Sequence, residues 1–394
     1  MTRYLDSEQI GIRCSIVRGG TSKGVFFLDH DVPPPGAARD ALLKRVMGTP
    51  DVMQIDGLGG THIVTSKIAI IGRSDREDAD VDYTFAQVEM SRDVIDYGGN
   101  CGNISAGVGP FSIDAGLVRS DPNSETTLVR IFNTNTQRVL RAHVPVQNGR
   151  AKVKGNVSIA GVPGTGAGVF MDYSTTGGGL TGRTMPTGNR RDEIALEDGS
   201  KVEITMCDFS NPYIFVRASD VGATCDEHPE AINHNKALID RCREIRGKAA
   251  QLAGLVSDWR KVDDERALFP ALTFIAGPGD YADMRGKTMA AGSMDLKVRM
   301  LFMNTCHHSV AGTGTMCTSA ASRIPGSVVN QVIGEAAAKR EDLRLAHPLG
   351  VTEVGVVSRP ANNEMGVEFE RLGFMRTARK IMDGTVYVPT SAAY

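Results

Sequence analysis

Cys101 stands in the run Gly98-Gly99-Asn100-Cys101-Gly102-Asn103, where a strand-like stretch gives way to small residues of helical character. Backbone N–H groups at a helix start lack intrahelical partners and lie at the positive end of the helix dipole. They favour negative charge on a thiol placed there, which suits proton transfer, and the same groups can hold a carboxylate. A second glycine turn, Ala311-Gly312-Thr313-Gly314, follows His307 and His308, whose imidazoles could hold a carboxylate or move a proton. Lys67 opens the apolar run Ile68-Ala69-Ile70-Ile71, and spacing alone makes it an ordinary lysine at a strand end. The eight histidines form no HxH or HxxxH pair with acidic support, so no metal site is expected. Gly164-Thr165-Gly166-Ala167-Gly168 precedes no helix with an acid at dinucleotide-binding spacing, and no phosphate-cradling loop pattern occurs.

The elements that must position these groups read as many short strands and few helices. Forty-four glycines separate the β-branched runs GVFFL, IVTSKIAII, TLVRIF, AKVKGNVSIAGV, KVEITM, YIFVRASDV, TEVGVVS and GTVYVP. Helices are expected over Ala37 to Met47, Ala231 to Leu255 and Val328 to Lys339. Asn103 to Gly116 and Met316 to Ser322 read as buried small-residue helices, with Pro110 expected to kink the first or end its first segment. The Gly/Thr-rich stretch 164–189 falls near the midpoint and marks a domain boundary. Two echoes point to duplication: GVFFLDHDV with YIFVRASDV, and GGNCGNISAG with SVAGTGTMCT.

A length of 394 residues favours two domains, and 41% hydrophobic with 23% charged residues is ordinary globular composition. A net charge of -2 gives no field to hold nucleic acid or an anionic membrane, so an anionic ligand needs a local site. No apolar run approaches the roughly 20 residues that span a bilayer, and the start of the chain lacks the basic-then-apolar pattern of a secretory signal. A cytoplasmic location is expected. Seven scattered cysteines without a CxxC pair suggest neither a disulfide framework nor a zinc ribbon.

Gly99-Asn100-Cys101-Gly102-Asn103 resembles the proton-transfer turn of the diaminopimelate epimerase and proline racemase group, in which each of two half-domains presents a cysteine. The second turn there reads Cys-Gly-Thr-Gly or Cys-Gly-Ser-Gly, but here Ala311 replaces the thiol. A two-thiol epimerase mechanism would need Cys306 or Cys317 to take over. Together with Arg18-Gly19-Gly20-Thr21-Ser22-Lys23-Gly24, Gln54-Ile55-Asp56-Gly57, Thr65-Ser66-Lys67, Pro186-Thr187-Gly188-Asn189 and His347-Pro348, the chain resembles the PrpF family. It does so most through DVDYTFAQV, YGGNCGNISAGVGPFSID and IFNTNT, which are similar to methylitaconate Δ-isomerase.

The resemblance implies an α+β, diaminopimelate epimerase-like fold of two similar domains. Each is a curled, mainly antiparallel sheet around a central helix, with the active site in a cleft between them. The domains are expected over residues 1–184, with a return strand at 376–394, and over 185–375. It further implies a cofactor-free isomerase that shifts a proton across three carbons of a small unsaturated di- or tricarboxylate, 3-methylitaconate Δ-isomerase-like. The alternatives are isomerisation of aconitate or 2-methylaconitate, tautomerisation of 4-oxalomesaconate, racemisation, or a non-catalytic binding role. Lys67 and Cys101 are the implied proton-handling pair. Burial beside an apolar strand favours the neutral amine, which can take a proton from carbon. Thr21, Ser22, Gly102, Asn103, His307, Gly312 and Thr313 are the expected substrate-binding residues. The expected partner is the substrate alone, with no nucleic acid and no membrane, and a homo-oligomer is left open.

Overall fold

Gly20, at φ +51°, turns the first hairpin, between β1 (Gln9–Gly19) and β2 (Ser22–Leu28), a backbone region that disfavours side chains. A computed structural model describes residues 8–390. Their chain is divided between two units, Met1–Met171 with Met375–Tyr394, and Asp172–Phe374. The first crossing comes earlier than residue 184, inside the Gly/Thr-rich stretch. Of the expected segments, residues 1–7 and 391–394 lie outside the described residues.

In the first unit β2 runs parallel to β3 (Lys67–Arg73), which pairs antiparallel with β4 (Val81–Val88). The ladder continues parallel to β5 (Thr126–Asn133) and antiparallel to β6 (Arg138–Gln147). The free side of β1 takes the last strand, with Gln9 opposite Pro389 and Gly19 opposite Ala378. Side chains alternate across the pleat. Val25, Phe27, Ile68 and Ile70 bury with Leu43, Val46 and Met47 of α1 (Ala37–Met47). Phe26, on the other face, meets Phe111 of α2 (Gly102–Asp114), with ring centroids 5.5 Å apart. That helix touches β1, β2, β3, β5 and β6, so the sheet curls around it. It also runs unbroken through Pro110, contrary to the kink or stop expected there. Burial of the residues around the proline holds the helix where propensity would end it.

The second unit repeats this order. Strands β7 (Lys201–Phe209) and β8 (Asn211–Arg217) are antiparallel, β8 is parallel to β9 (Ala271–Ala276), and β9 is antiparallel to β10 (Leu296–Phe302). Then β11 (Asp342–His347) joins β10 in parallel and β12 (Gly350–Pro360) joins β11 antiparallel. Its outer helix is α3 (Lys236–Leu252), and its buried helix is α4 (Gly312–Arg323), which touches β7, β8 and β12. Both echoes fall on matching elements: β2 and β8 each lead into a 3-10 turn, Asp29–Asp31 and Ala218–Val221. The run YIFVRASDV is therefore strand only as far as Arg217. The expected strand AKVKGNVSIAGV is also corrected. Only Arg150–Ala151 pairs there as a strand, with an isolated bridge from Val157 to Gly166, because Gly155, Gly161 and the turns around them interrupt the ladder. The expected helix from Ala231 is split, since the Asn235 side chain accepts from Leu238 N–H and starts α3 afresh, and Gly254 at φ +71° follows its end. Helix α4 begins at Gly312, ahead of the expected Met316.

Candidate functional site

The period of two puts Lys67, first residue of β3, on the face toward α2, while Ile68 and Ile70 point to the α1 side. Lys67 is only 7% exposed, and this burial lowers its pKa below the ordinary lysine value. The neighbour that opposes the shift is Cys101. The amine donates to Gln87 Oε1 at 2.5 Å, and the Phe85 ring lies 5.3 Å from Nζ. Gln87 stands directly opposite Lys67 in the β3–β4 pair.

Cys101 occupies the N-cap of α2, its carbonyl accepting from Ser105 N–H at 2.8 Å. The Cys101 side chain makes no capping hydrogen bond there, and the helix start carries the positive end of the dipole, which favours an anion. Of the seven cysteines Cys101 alone is half-buried, and the other six are buried. Burial pushes the Cys14 thiol up to about 11 and those of Cys242 and Cys306 up to about 12. Cys317 lies further along α4 and donates to Cys207 O at 3.1 Å. Neither Cys306 nor Cys317 occupies the turn position that Ala311 holds.

Asn103, one residue into α2 from Gly102, donates to Thr21 Oγ1 at 2.9 Å and accepts from Arg376 Nε at 3.2 Å. The hairpin can approach this closely because Gly19 has no side chain: a methyl there would lie 2.3 Å from Asn103 O. Ser22 is buried at the start of β2, beside the Lys23 N–H to Val64 O bond that ties the hairpin to the loop before β3. Within that loop Gln54 Oε1 accepts from Ser66 Oγ at 2.6 Å and from Thr61 N–H at 2.9 Å. Thr21, Ser22, Lys67, Cys101, Gly102 and Asn103 all belong to the first unit.

His307, Gly312 and Thr313 belong to the second unit. His307 Nδ1 lies 2.8 Å from Ser309 O, and Thr313 Oγ1 lies 2.8 Å from the Tyr213 hydroxyl. Ala311 caps α4 as Cys101 caps α2, its carbonyl accepting from Thr315 N–H at 2.8 Å. The registers carry the equivalence further. Gly24 pairs with Lys67 in the first unit, and Tyr213 with Ala271 in the second. The β9–β10 pairing runs from Leu272 opposite Leu301 to Ala276 opposite Lys297, and one further step of the same register leads to Ala271 and Phe302, which lie just beyond it. Lys67, Gln87 and Cys101 therefore correspond to Ala271, Phe302 and Ala311.

Sequence reading gave no site role to Gln87, Gln54 or Arg376, although Gln87 lies in the run DVDYTFAQV and Gln54 opens Gln54-Ile55-Asp56-Gly57. Gln87 is one of several polar residues in the strand Val81–Val88, and only the β3–β4 register reveals its partner. Arg376 meets Asn103 across 273 positions of sequence. A cavity of about 290 Å³ lined by Arg13, Ser15, Lys380 and Asp383 lies in the first unit but includes neither Lys67 nor Cys101, so cavity size does not locate the chemistry. Among the described residues no cluster of three or more His, Cys, Asp or Glu could hold a metal. No described helix is long and apolar enough to cross a membrane.

Residues 9–389 match the model of the family described as PrpF protein. The chain is 45% identical to 3-methylitaconate isomerase of Eubacterium barkeri, over 97% of this chain and 98% of that one. It is 38% identical to 2-methyl-aconitate isomerase of Cupriavidus necator, over 98% of both chains. A crystal structure of methylitaconate-delta-isomerase superposes with a TM-score of 0.81 at 44% identity, covering 98% of this chain and 97% of the other. A probable proline racemase from Agrobacterium radiobacter gives a TM-score of 0.54 at 12% identity, over 95% of this chain and 92% of that one, a likeness of fold alone.

Proposed function

The chain belongs to the PrpF family and is an isomerase, and from that premise we propose that it moves a double bond in a small unsaturated di- or tricarboxylate by a 1,3-proton shift, with 3-methylitaconate or a close analogue as substrate. The observation that carries the reading is the pairing, in one unit, of a buried amine with a half-buried thiol at the N-cap of a buried helix. One of Lys67 and Cys101 takes an allylic proton from carbon, and the electron pair left behind delocalises through the alkene into a carboxylate as a dienolate. The other returns a proton two carbons along, so the double bond migrates and the composition is unchanged. The N–H groups at the start of α2 stabilise the developing negative charge. After one turnover the two groups have exchanged protonation states, and a proton passing between them restores the starting form. The reaction transfers no electron and no group to a carrier, so the proposal includes no cofactor.

Substrate contacts are assigned on the same reading to Thr21, Ser22, Gly102 and Asn103, and to His307, Gly312 and Thr313, and the enzyme is taken as cytoplasmic. Incubating a panel of 3-methylitaconate, 2-methylaconitate, aconitate and 4-oxalomesaconate with the enzyme in deuterated water tests it by NMR. Double-bond migration with solvent deuterium in the product of one acid is expected. Deuterium exchange at a saturated stereocentre without migration of any alkene would replace this reading with epimerisation.

A further inference from the structure

We propose that Gln87 is a positioning residue that holds the Lys67 amine in one orientation through an acceptor that carries no charge. This rests on the proton-transfer role proposed above for Lys67. Gln87 is 1% exposed, and its Nε2 faces three backbone carbonyls, Ser66 O at 3.1 Å, Ile63 O at 3.3 Å and Val88 O at 3.4 Å. Carbonyls accept and do not donate, so the amide group must turn its NH₂ toward them. The oxygen is thereby left facing Lys67 Nζ at 2.5 Å. An amide carbonyl takes one N–H of an amine without placing a negative charge beside it. A carboxylate on the same atoms would lock the group as an ammonium and remove its lone pair from use.

The surroundings are arranged to the same end. From α2 the group facing Lys67 is Cys101, and from β4 it is the uncharged Phe85 ring. Asp96 pairs with Gln87 on its far edge, where Oδ1 accepts from Gly98 N–H at 2.5 Å. In the loop before β3, Asp56 is paired with Arg45 at 3.0 Å, and His62 Nδ1 accepts from Val64 N–H at 3.3 Å. On β2 the register partner of Lys67 is Gly24, and the neighbouring Lys23 falls on the opposite face of the strand. The second unit offers an internal control. Where Ala271 replaces the amine, Phe302 replaces the amide, so the pair is present or absent together.

Gln87→Glu keeps the shape and changes the acceptor to a carboxylate. In the direction of reaction in which Lys67 is the base, the ascending limb of the rate profile, which marks loss of its proton, should move up by about one pH unit or more. At a pH below the limb, activity should fall about tenfold for each pH unit the limb moves, and it should recover as pH rises. Gln87→Met keeps the length but removes the acceptor. It should lower kcat about tenfold with KM within about twofold, and it should not be rescued by alkali. A third readout needs no substrate: the Lys67 ¹³Cε resonance, assigned by its loss in Lys67→Met, should titrate below the usual lysine range in the wild type and higher in Gln87→Glu. If that resonance shifts as described while no acid is turned over, the functional reading fails and the positioning role stands. Folded Gln87→Glu with the wild-type pH profile and an unmoved resonance would overturn the proposal, as would folded Gln87→Met with wild-type kcat.

Discussion

The two units share a strand order, a 3-10 turn after the second strand and a buried helix led by a glycine turn, yet their corresponding tips are chemically opposite. The first places an amine, an amide and a thiol at Lys67, Gln87 and Cys101, and the second places Ala271, Phe302 and Ala311. Even the packing between helix and sheet is exchanged. A methyl on Gly24 would lie 3.2 Å from Ile104 Cδ1, so the first unit sets a small strand residue against a large helix residue. The second reverses this, for a methyl on Gly314 would lie 3.2 Å from Tyr213 Cε1. The two units thus keep similar bulk at matched positions while the amine, amide and thiol stand in the first, as volume-conserving swaps in cores are the ones tolerated. The lesson is that the fold sets where a titratable group can stand, and the few residues at those places decide whether chemistry happens there.

The largest effect should come from the first unit's pair. Cys101→Ser and Lys67→Ala should each lower turnover by roughly 10²- to 10⁴-fold, and the double variant should be little worse than either single, because both act in one relay. Thiol alkylation should abolish activity through Cys101 while the six buried cysteines react more slowly, and a chelator should change nothing. Steady-state rates and peptide mapping of the labelled thiol check both.

At the position matching Gln87, Phe302→Ala should act on stability instead, costing about 3–5 kcal/mol in denaturant unfolding, with the pH–rate profile of the remaining folded enzyme unmoved. Gly314→Ile should cost about 1–3 kcal/mol through overpacking, since a methyl there already meets Met300 Cε at 2.2 Å. Combining it with Tyr213→Gly should recover part of that loss, read as a coupling energy in a double-mutant cycle. Smallest of all, Ala311→Cys should leave isomerase turnover within about twofold, because no step in the relay calls on a second thiol.

Much of this was legible in the sequence, for reasons that differ by residue. Glycine turns announce themselves, so the Cys101 to Ala311 correspondence was visible, as was Ala37–Met47, while the start of α4 was read four residues late. The strand over residues 151–162 was misread because its apolar residues alternate while its glycines break the ladder. The α3 break was missed because Asn235 caps through a side-chain bond that composition does not reveal. Lys67 carried no local signal, and its burial arises from β2, β4 and α2 closing over it. Gln87 and Arg376 owe their places to register and to a return strand, which link residues far apart in sequence.

The relay itself is tested most directly by hydrogen exchange in the single variants. Each isomer of the substrate is incubated with Cys101→Ser or Lys67→Ala in deuterated water, and deuterium is located by NMR on carbons one and three of the allyl unit. With two groups serving two carbons, each variant should still exchange hydrogen at one carbon and not the other, the two variants should be complementary, and neither should move the double bond at more than a trace of the wild-type rate. A variant that exchanges both carbons, or a Cys101→Ser enzyme that isomerises as fast as the wild type, would contradict the account.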